Sequence, residues 1–354
     1  MIVVILLSIN YFTIIRKCIK NFIKGDEMTK IRFATRLNSF ASKSHVFWPE
    51  LKGKPSVRQM IDRAATVNGL TDLDLNYPQH IKDDAADLKQ YIEDKGLHVN
   101  GMAMRFNTLP EFQLGAFTNP EKRVRDAAVE LTKKGIDCGR TFGTNLMTIW
   151  LAQDGFDYCF QADYDRMWDN MIQCFREICE YAPDCNISIE YKPNEPRSYS
   201  ILPNAATTLL AINDIGMKNM GVTLDFAHVL YAGEIPAFAA SLVSKRTRIL
   251  GLHLNDGWGK RDDGLMVASV NLRATLELIW KLRKENFDGA YYFDTFPDAS
   301  GMDPVKEAEV NIITVNKLVE IADKLSSNKE LEQAINDQNS PLSQQIVNEM
   351  LLNI

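Results

Sequence analysis

The stretch Ile187-Ser188-Ile189-Glu190-Tyr191, followed by Ala205–Asp214 and then by Gly221-Val222-Thr223-Leu224-Asp225, decides the fold. Two short apolar runs flank a segment whose apolar residues recur every three or four positions, which is the pattern of a strand, a helix and a strand. The unit repeats outward in both directions. Candidate strands are Ile31–Leu37, Leu70–Leu75, His98–Met104, Leu146–Leu151, Ile187–Tyr191, Gly221–Asp225, Arg248–Leu254 and Ala290–Phe293. Helix-like segments lie between them at Val57–Val67, Ala85–Lys95, Glu121–Lys134, Tyr164–Tyr181, Ala205–Asp214, Ile235–Val243 and Leu272–Glu285, and Val305–Leu325 follows the last strand. Eight strands, each followed by a helix, are what a closed parallel barrel requires. An open doubly wound sheet would need a Gly-rich phosphate turn after a strand, and none is found. The expected fold is α/β, a (β/α)8 TIM barrel with a C-terminal helical extension.

The chain has 354 residues, 45% of them hydrophobic, enough for one barrel of about 250 residues with extensions. Lys and Arg number 40 against 46 Asp and Glu. No long basic block appears, so a nucleic-acid footprint is not indicated. Six cysteines without a CxxC pair read as reduced thiols of a cytoplasmic protein.

Residues 2–15 are largely apolar and are followed by Arg16, Lys17, Lys20 and Lys24. The run is short for a bilayer span, and its charge follows the apolar part, whereas a secretory signal has it before. Residues 1–27 are read as a non-native or untranslated leader with Met28 as the start, a membrane anchor being the alternative. Residues 28–325 are assigned to the barrel and 326–354 to the extension, which either packs on a neighbouring subunit or is a loosely held surface helix. The segment Ser39–Pro55, with Phe47, Trp48 and Pro49, is a long loop expected to overhang the barrel mouth.

In such a barrel, side chains at the C-terminal strand ends share one mouth. The last four strands end in Glu190, Asp225, His253 and Asp294. One charged residue at a strand end is ordinarily a solvated loop group. Four oxygen or imidazole donors on four successive strands can surround a divalent cation such as Mn²⁺, Mg²⁺ or Co²⁺, and without one the carboxylates would repel each other.

Glu190-Tyr191-Lys192-Pro193-Asn194-Glu195-Pro196-Arg197 resembles the EPKPNEPR signature of xylose isomerase, with Tyr191 in place of the first proline. Phe106, Phe112, Gly115-Ala116-Phe117-Thr118, Ile149-Trp150, Gly155 and Tyr158 resemble that family upstream. His253-Leu254-Asn255, Lys260 and Asp262 resemble its DLNG…KxDxD stretch. The resemblance implies that Glu190, Asp225 and Asp294 bind a first metal, with His253 in place of an aspartate, a ligand set closer to rhamnose isomerases and ketose 3-epimerases. It carries His228, Asp262 and Glu195 to a second ion. The family spaces two aspartates two residues apart, whereas this chain reads Asp262-Asp263-Gly264, so one ligand is shifted or missing and the second site stays open. Lys192 matches a lysine that holds a substrate oxygen and offsets charge on it. Trp150 and Phe106 match aromatic walls over the sugar carbons. The family's ring-opening histidine is absent from Asp74-Leu75-Asn76-Tyr77-Pro78-Gln79-His80, where His80 is the candidate substrate contact.

The expected activity is a metal-dependent sugar isomerase, interconverting aldose and ketose through a metal-stabilised enediolate or a hydride shift, with Glu190, Lys192 and Asp294 as catalytic residues. Two alternatives stand beside it. One is a ketose epimerase, or a lyase acting on an oxidised sugar, on the same scaffold; the other is a non-catalytic sugar-binding barrel. The partners expected are a small sugar and, by analogy with the family, further copies of the chain in a dimer or tetramer. Nucleic acid and, for the barrel, membrane are not expected.

Overall fold

The strands are β1 (Phe33–Arg36), β2 (Asp72–Tyr77), β3 (His98–Met104), β4 (Leu146–Ile149), β5 (Gly155–Phe156), β6 (Asn186–Glu190), β7 (Tyr199–Ser200), β8 (Met220–Asp225), β9 (Ile249–Leu254) and β10 (Tyr291–Phe293). Eight of them close into a barrel in the order β1-β10-β9-β8-β6-β4-β3-β2, every neighbouring pair parallel. The two short strands β5 and β7 pair antiparallel as a separate flap. Each of the eight barrel strands overlaps a segment read from the sequence, with β2 running on two residues to Tyr77 and β6 and β8 each starting one residue earlier. The computed structural model describes residues 31–82, 84–297 and 303–353, so the leader assigned to residues 1–27 lies outside the described residues.

The strands are legible because both their faces are covered. Leu73, Leu75, Met102, Met147, Ile187, Ile189, Val222, Leu224, Leu252 and Phe293 are all buried. Each such side chain contributes roughly 1.5–3 kcal/mol relative to exposure. Outside the barrel run helices α1 (Val57–Ala64), α2 (Ala85–Asp94), α3 (Lys122–Phe142), α4 (Tyr164–Tyr181), α5 (Ala205–Ile215), α6 (Pro236–Arg246), α7 (Leu272–Lys284) and α8 (Pro304–Ser326). Several start on side-chain caps. Ser56 and Gln59 form a capping box on α1, and Asp84, Asp163, Asn204 and Asp303 each accept from a backbone N–H of the first turn.

Helix α3 runs on past the expected end at Lys134 to Phe142, closed by Gly143 at φ 80°. Gly135 and Gly139 lie inside it. A Cβ on Gly135 would meet Met104 and Met147 at 3.0 and 3.1 Å, and one on Gly139 would meet Met102 at 3.1 Å. These glycines let the helix lie close against β3 and β4; they do not break it.

The loop after β1 also differs from expectation. The Trp48 ring takes the Arg63 guanidinium of α1 at 5.3 Å, and the Phe47 carbonyl accepts from the same group. The segment turns outward to a barrel helix. The C-terminal extension forms α9 (Lys329–Asn336) and α10 (Ser340–Leu352). Leu331, Ala334 and Ile346 are buried, and Arg273 of α7 donates to Gln344 at 2.8 Å and to Asn348. The extension is therefore docked on its own barrel. Among the described residues no helix is long and apolar enough to cross a membrane, and the five described cysteines are free thiols.

Candidate metal centre

The C-terminal ends of β6, β8 and β9 and the residue after β10 bring Glu190, Asp225, His253 and Asp294 together, with one donor atom of each within 4.8 Å of all the others. All four are at most 9% exposed. His253 Nδ1 lies 3.1 Å from Glu190 Oε1, 3.9 Å from Asp225 Oδ2 and 3.8 Å from Asp294 Oδ2. The His253 ring also lies against Tyr292, with centroids 4.2 Å apart.

Burial and charge oppose each other throughout this cluster. Burial by itself lowers His253, but Glu190, then Asp294 and Asp225, outweigh it and raise the imidazole to about 9. Burial pushes Asp225 up, His228 opposes this, and the carboxylates of Asp262, Asp294 and Glu190 add to it. Burial would raise Glu190 as well, yet the two histidines hold it below the usual carboxylate range. Three buried carboxylates thus depend on positive charge supplied locally.

The donors suit a hard or borderline divalent ion. Asp294 Oδ1 is buried and accepts no hydrogen bond, Arg36 Nε being 3.7 Å away, so it is an oxygen still lacking a partner. Asn255, two residues beyond His253, has no role assigned from sequence beyond its place in the family-like stretch. Its amide donates to both Asp225 oxygens at 3.2 and 3.1 Å and to the Asp294 carbonyl at 3.2 Å, while its own oxygen accepts from Ala227 N at 2.8 Å. It fixes two of the four donors. Asp225 Oδ1 accepts from His228 N at 3.0 Å and so caps the short helix Phe226–Tyr231 that starts there.

The residues expected at a second ion surround an ammonium. Lys192 Nζ is 3.0 Å from Asp262 Oδ2 and 3.1 Å from Glu195 Oε2, and His228 Nε2 reaches the same Asp262 oxygen at 3.1 Å. Among the described residues, the clustered ligand set does not include them. Lys192 also faces the Trp150 ring at 5.2 Å.

A cavity of about 370 Å³ opens beside the cluster, lined by Glu190, Asp294, Lys192, Trp150, Phe296, His228, Asp262 and Glu195, and also by Arg36, Asn38, Gln79 and Arg105. Two residues expected at the substrate lie elsewhere. Phe106 is buried between Phe112 and Phe117, with centroids 5.4 and 5.3 Å away, and packs the loop under the mouth. That loop is fixed by Asp154, whose carboxylate accepts from Ala116 N and Thr118 N. His80 is 2% exposed and sits behind the wall, with Nδ1 accepting from Asn76 N at 3.0 Å and Nε2 at 2.7 Å from Asn38 Oδ1. Its strand-end neighbours Gln79 and Asn38 reach the cavity instead. Arg36, Gln79 and Arg105 were not read as site residues, although each stands at or just beyond the end of one of the first three strands.

The sequence profile of the family described as xylose isomerase-like TIM barrel matches residues 63–313. A xylose isomerase of Thermus thermophilus is 26% identical over 212 residues, 58% of this chain and 55% of that protein, so the match spans little more than half the relative's length. Among solved structures, a D-tagatose 3-epimerase-like protein superimposes with a TM-score of 0.65 at 18% identity, over 83% of this chain and 99% of that one. An L-ribulose 3-epimerase gives 0.62 at 18% identity, over 84% and 98%. Barrel topology and sequence profile agree, and the chain belongs to the xylose isomerase-like TIM-barrel family, which it shares with proteins named as sugar isomerases and epimerases.

Proposed function

We propose that this chain is a divalent-metal-dependent sugar isomerase that interconverts an aldose and a ketose. The observation that carries the reading is the convergence of Glu190, Asp225, His253 and Asp294 donors within 4.8 Å, at the wall of a cavity large enough for a small sugar. Mn²⁺, Mg²⁺ or Co²⁺ suits this set, and when bound it would supply Lewis acidity toward a carbonyl and its neighbouring hydroxyl.

The barrier to such an isomerisation is the weak acidity of the C–H bond beside the carbonyl. Glu190 and Asp294 come from non-adjacent strands, and a carboxylate there can remove that proton and return it to the neighbouring carbon. Lys192, held by Asp262 and Glu195, presents a fixed positive charge to an oxygen on which negative charge grows. Trp150 covers the same space with an apolar face and excludes water from the carbon being deprotonated. The alternative is epimerisation at one carbon, which uses the same two carboxylates with proton removal on one face and return on the other.

A panel of aldoses and ketoses incubated in D₂O with Mn²⁺, Mg²⁺ or Co²⁺ tests both. Product carrying solvent deuterium at the carbon next to the carbonyl supports proton transfer by these carboxylates. An aldose–ketose exchange identifies isomerisation, and an inverted centre in an unchanged ketose identifies epimerisation. Tight metal binding with no conversion of any sugar would contradict the enzyme reading and favour a sugar-binding barrel.

A further inference from the structure

The barrel mouth is divided by chemistry. Strands β6, β8, β9 and β10 form one arc and carry the metal-type donors, while β1, β2 and β3 form the other. On that second arc the cavity is lined by Arg36 at the end of β1, Gln79 after β2 and Arg105 after β3. Arg36 has Asp294 beside it, but Arg105 brings to this arc a guanidinium that the hydroxyls of a neutral sugar do not require.

Hydrogen bonding behind this wall turns its donors toward the cavity. Asn76 N donates to His80 Nδ1 at 3.0 Å, so the His80 proton is on Nε2 and is donated to Asn38 Oδ1 at 2.7 Å. Asn38 Nδ2 in turn reaches Gln79 Oε1 at 3.5 Å, and Asn76 Nδ2 reaches the same oxygen at 3.2 Å. Asn76 Oδ1 accepts from Arg105 Nε at 2.9 Å. The side-chain oxygens of Asn38, Asn76 and Gln79 are all engaged inside the wall. Left for the cavity are Gln79 Nε2 and the terminal nitrogens of Arg105, which among the described residues pairs with no carboxylate. Arg36 lies over the Phe296 ring at 4.7 Å, with Nε 3.7 Å from Asp294. A sugar hydroxyl both donates and accepts, whereas a carboxylate or phosphate only accepts and matches the planar guanidinium fork.

We infer that the substrate is an anionic sugar, with a carboxylate or phosphate held by Arg105 and Gln79, while Arg36, beside Asp294, adds positive charge to the same wall. This rests on the sugar-isomerising reading and names the substrate class of that same site.

The test is a matched series of a neutral aldose, the corresponding sugar acid and the corresponding sugar phosphate. Each is measured by calorimetric binding to the full chain with Mn²⁺, and by turnover. The expected result is affinity and kcat/KM for one anionic form on the order of 100-fold above the neutral sugar, decreasing with added salt; which form shows it tells carboxylate from phosphate. Arg105→Gln should narrow that ratio about tenfold and Arg105→Lys should restore part of it, with retained Mn²⁺ binding showing that the variants are folded. Equal binding of neutral and anionic sugars, or a ratio unmoved in Arg105→Gln and Arg36→Gln, would overturn the inference while leaving neutral-sugar isomerisation intact. If no sugar is converted, the proposed function fails, and the binding ratio still decides whether the anion cradle exists.

Discussion

Lys192 Nζ lies 3.0 Å from Asp262 Oδ2, on the oxygen that His228 also contacts. A second cation at His228, Asp262 and Glu195 would have to displace this ammonium. The arrangement makes Lys192 both the local counter-charge and the fixed cation facing the cavity. Lys192→Met is expected to lower kcat by roughly 10²–10³, the usual loss when one preorganised group facing a developing oxyanion is removed, with little change in ion binding at Glu190, Asp225, His253 and Asp294. Steady-state kinetics beside metal titration checks this, and an unchanged kcat would remove Lys192 from the mechanism.

Asn255 gives a separable prediction. Its amide spans Asp225 and the Asp294 carbonyl. Removing such a support typically costs about 10–100-fold in metal affinity, so Asn255→Ala should weaken Mn²⁺ binding by that factor while circular dichroism stays as in the parent. Unaltered affinity would mean that the four donors are positioned without it.

His80 predicts an acid limb in stability. Burial, then the charges of Arg105, Arg36 and Lys82, lower it from 6.5 to about 3. Between those values the unfolded chain binds the proton and the folded chain does not, so stability is complete above about pH 6.5 and falls as pH drops toward 3. The slope approaches about 1.4 kcal/mol per pH unit. Urea unfolding of the parent and of His80→Gln across this range should differ in slope by that amount, whatever their difference at neutral pH. Parallel profiles would contradict the assignment.

The Tyr191 hydroxyl donates to Glu234 Oε2 at 2.9 Å, and Glu234 also accepts from Ala205 N at the start of α5. The residue that departs from the family signature therefore joins the end of β6 to the segments before α5 and α6. Tyr191→Phe leaves a partly buried carboxylate short of a donor and should cost about 1–2 kcal/mol, read as a lower denaturation midpoint at unchanged m-value. An unchanged midpoint would show water replacing the hydroxyl without loss.

The barrel was legible because its strands are buried on both faces and so appear as apolar runs such as Ile187–Ile189 and Val222–Leu224, each closed by a polar end. Glu190, Asp225, His253 and Asp294 stood out for the same reason, as polar residues in fixed position after apolar runs. The helix expected to end at Lys134 runs on to Phe142 over Gly135, whose close approach to Met104 and Met147, distant in sequence, shows only in the folded chain. Phe106 and His80 misled because resemblance assigns a place in the chain and not the direction of a side chain. Arg36 and Arg105 carried a signal at the ends of β1 and β3, but it acquires meaning only once the barrel closes and brings them to one wall.

The most direct test of the account is an ion count. Metal-depleted full-length protein titrated with Mn²⁺ should bind a single tight ion per chain by elemental analysis and electron paramagnetic resonance, and Asp225→Asn and His253→Ala should each lose it. Failure of the parent protein to retain any ion, or undiminished binding in both variants, would contradict the metal centre and the chemistry built on it.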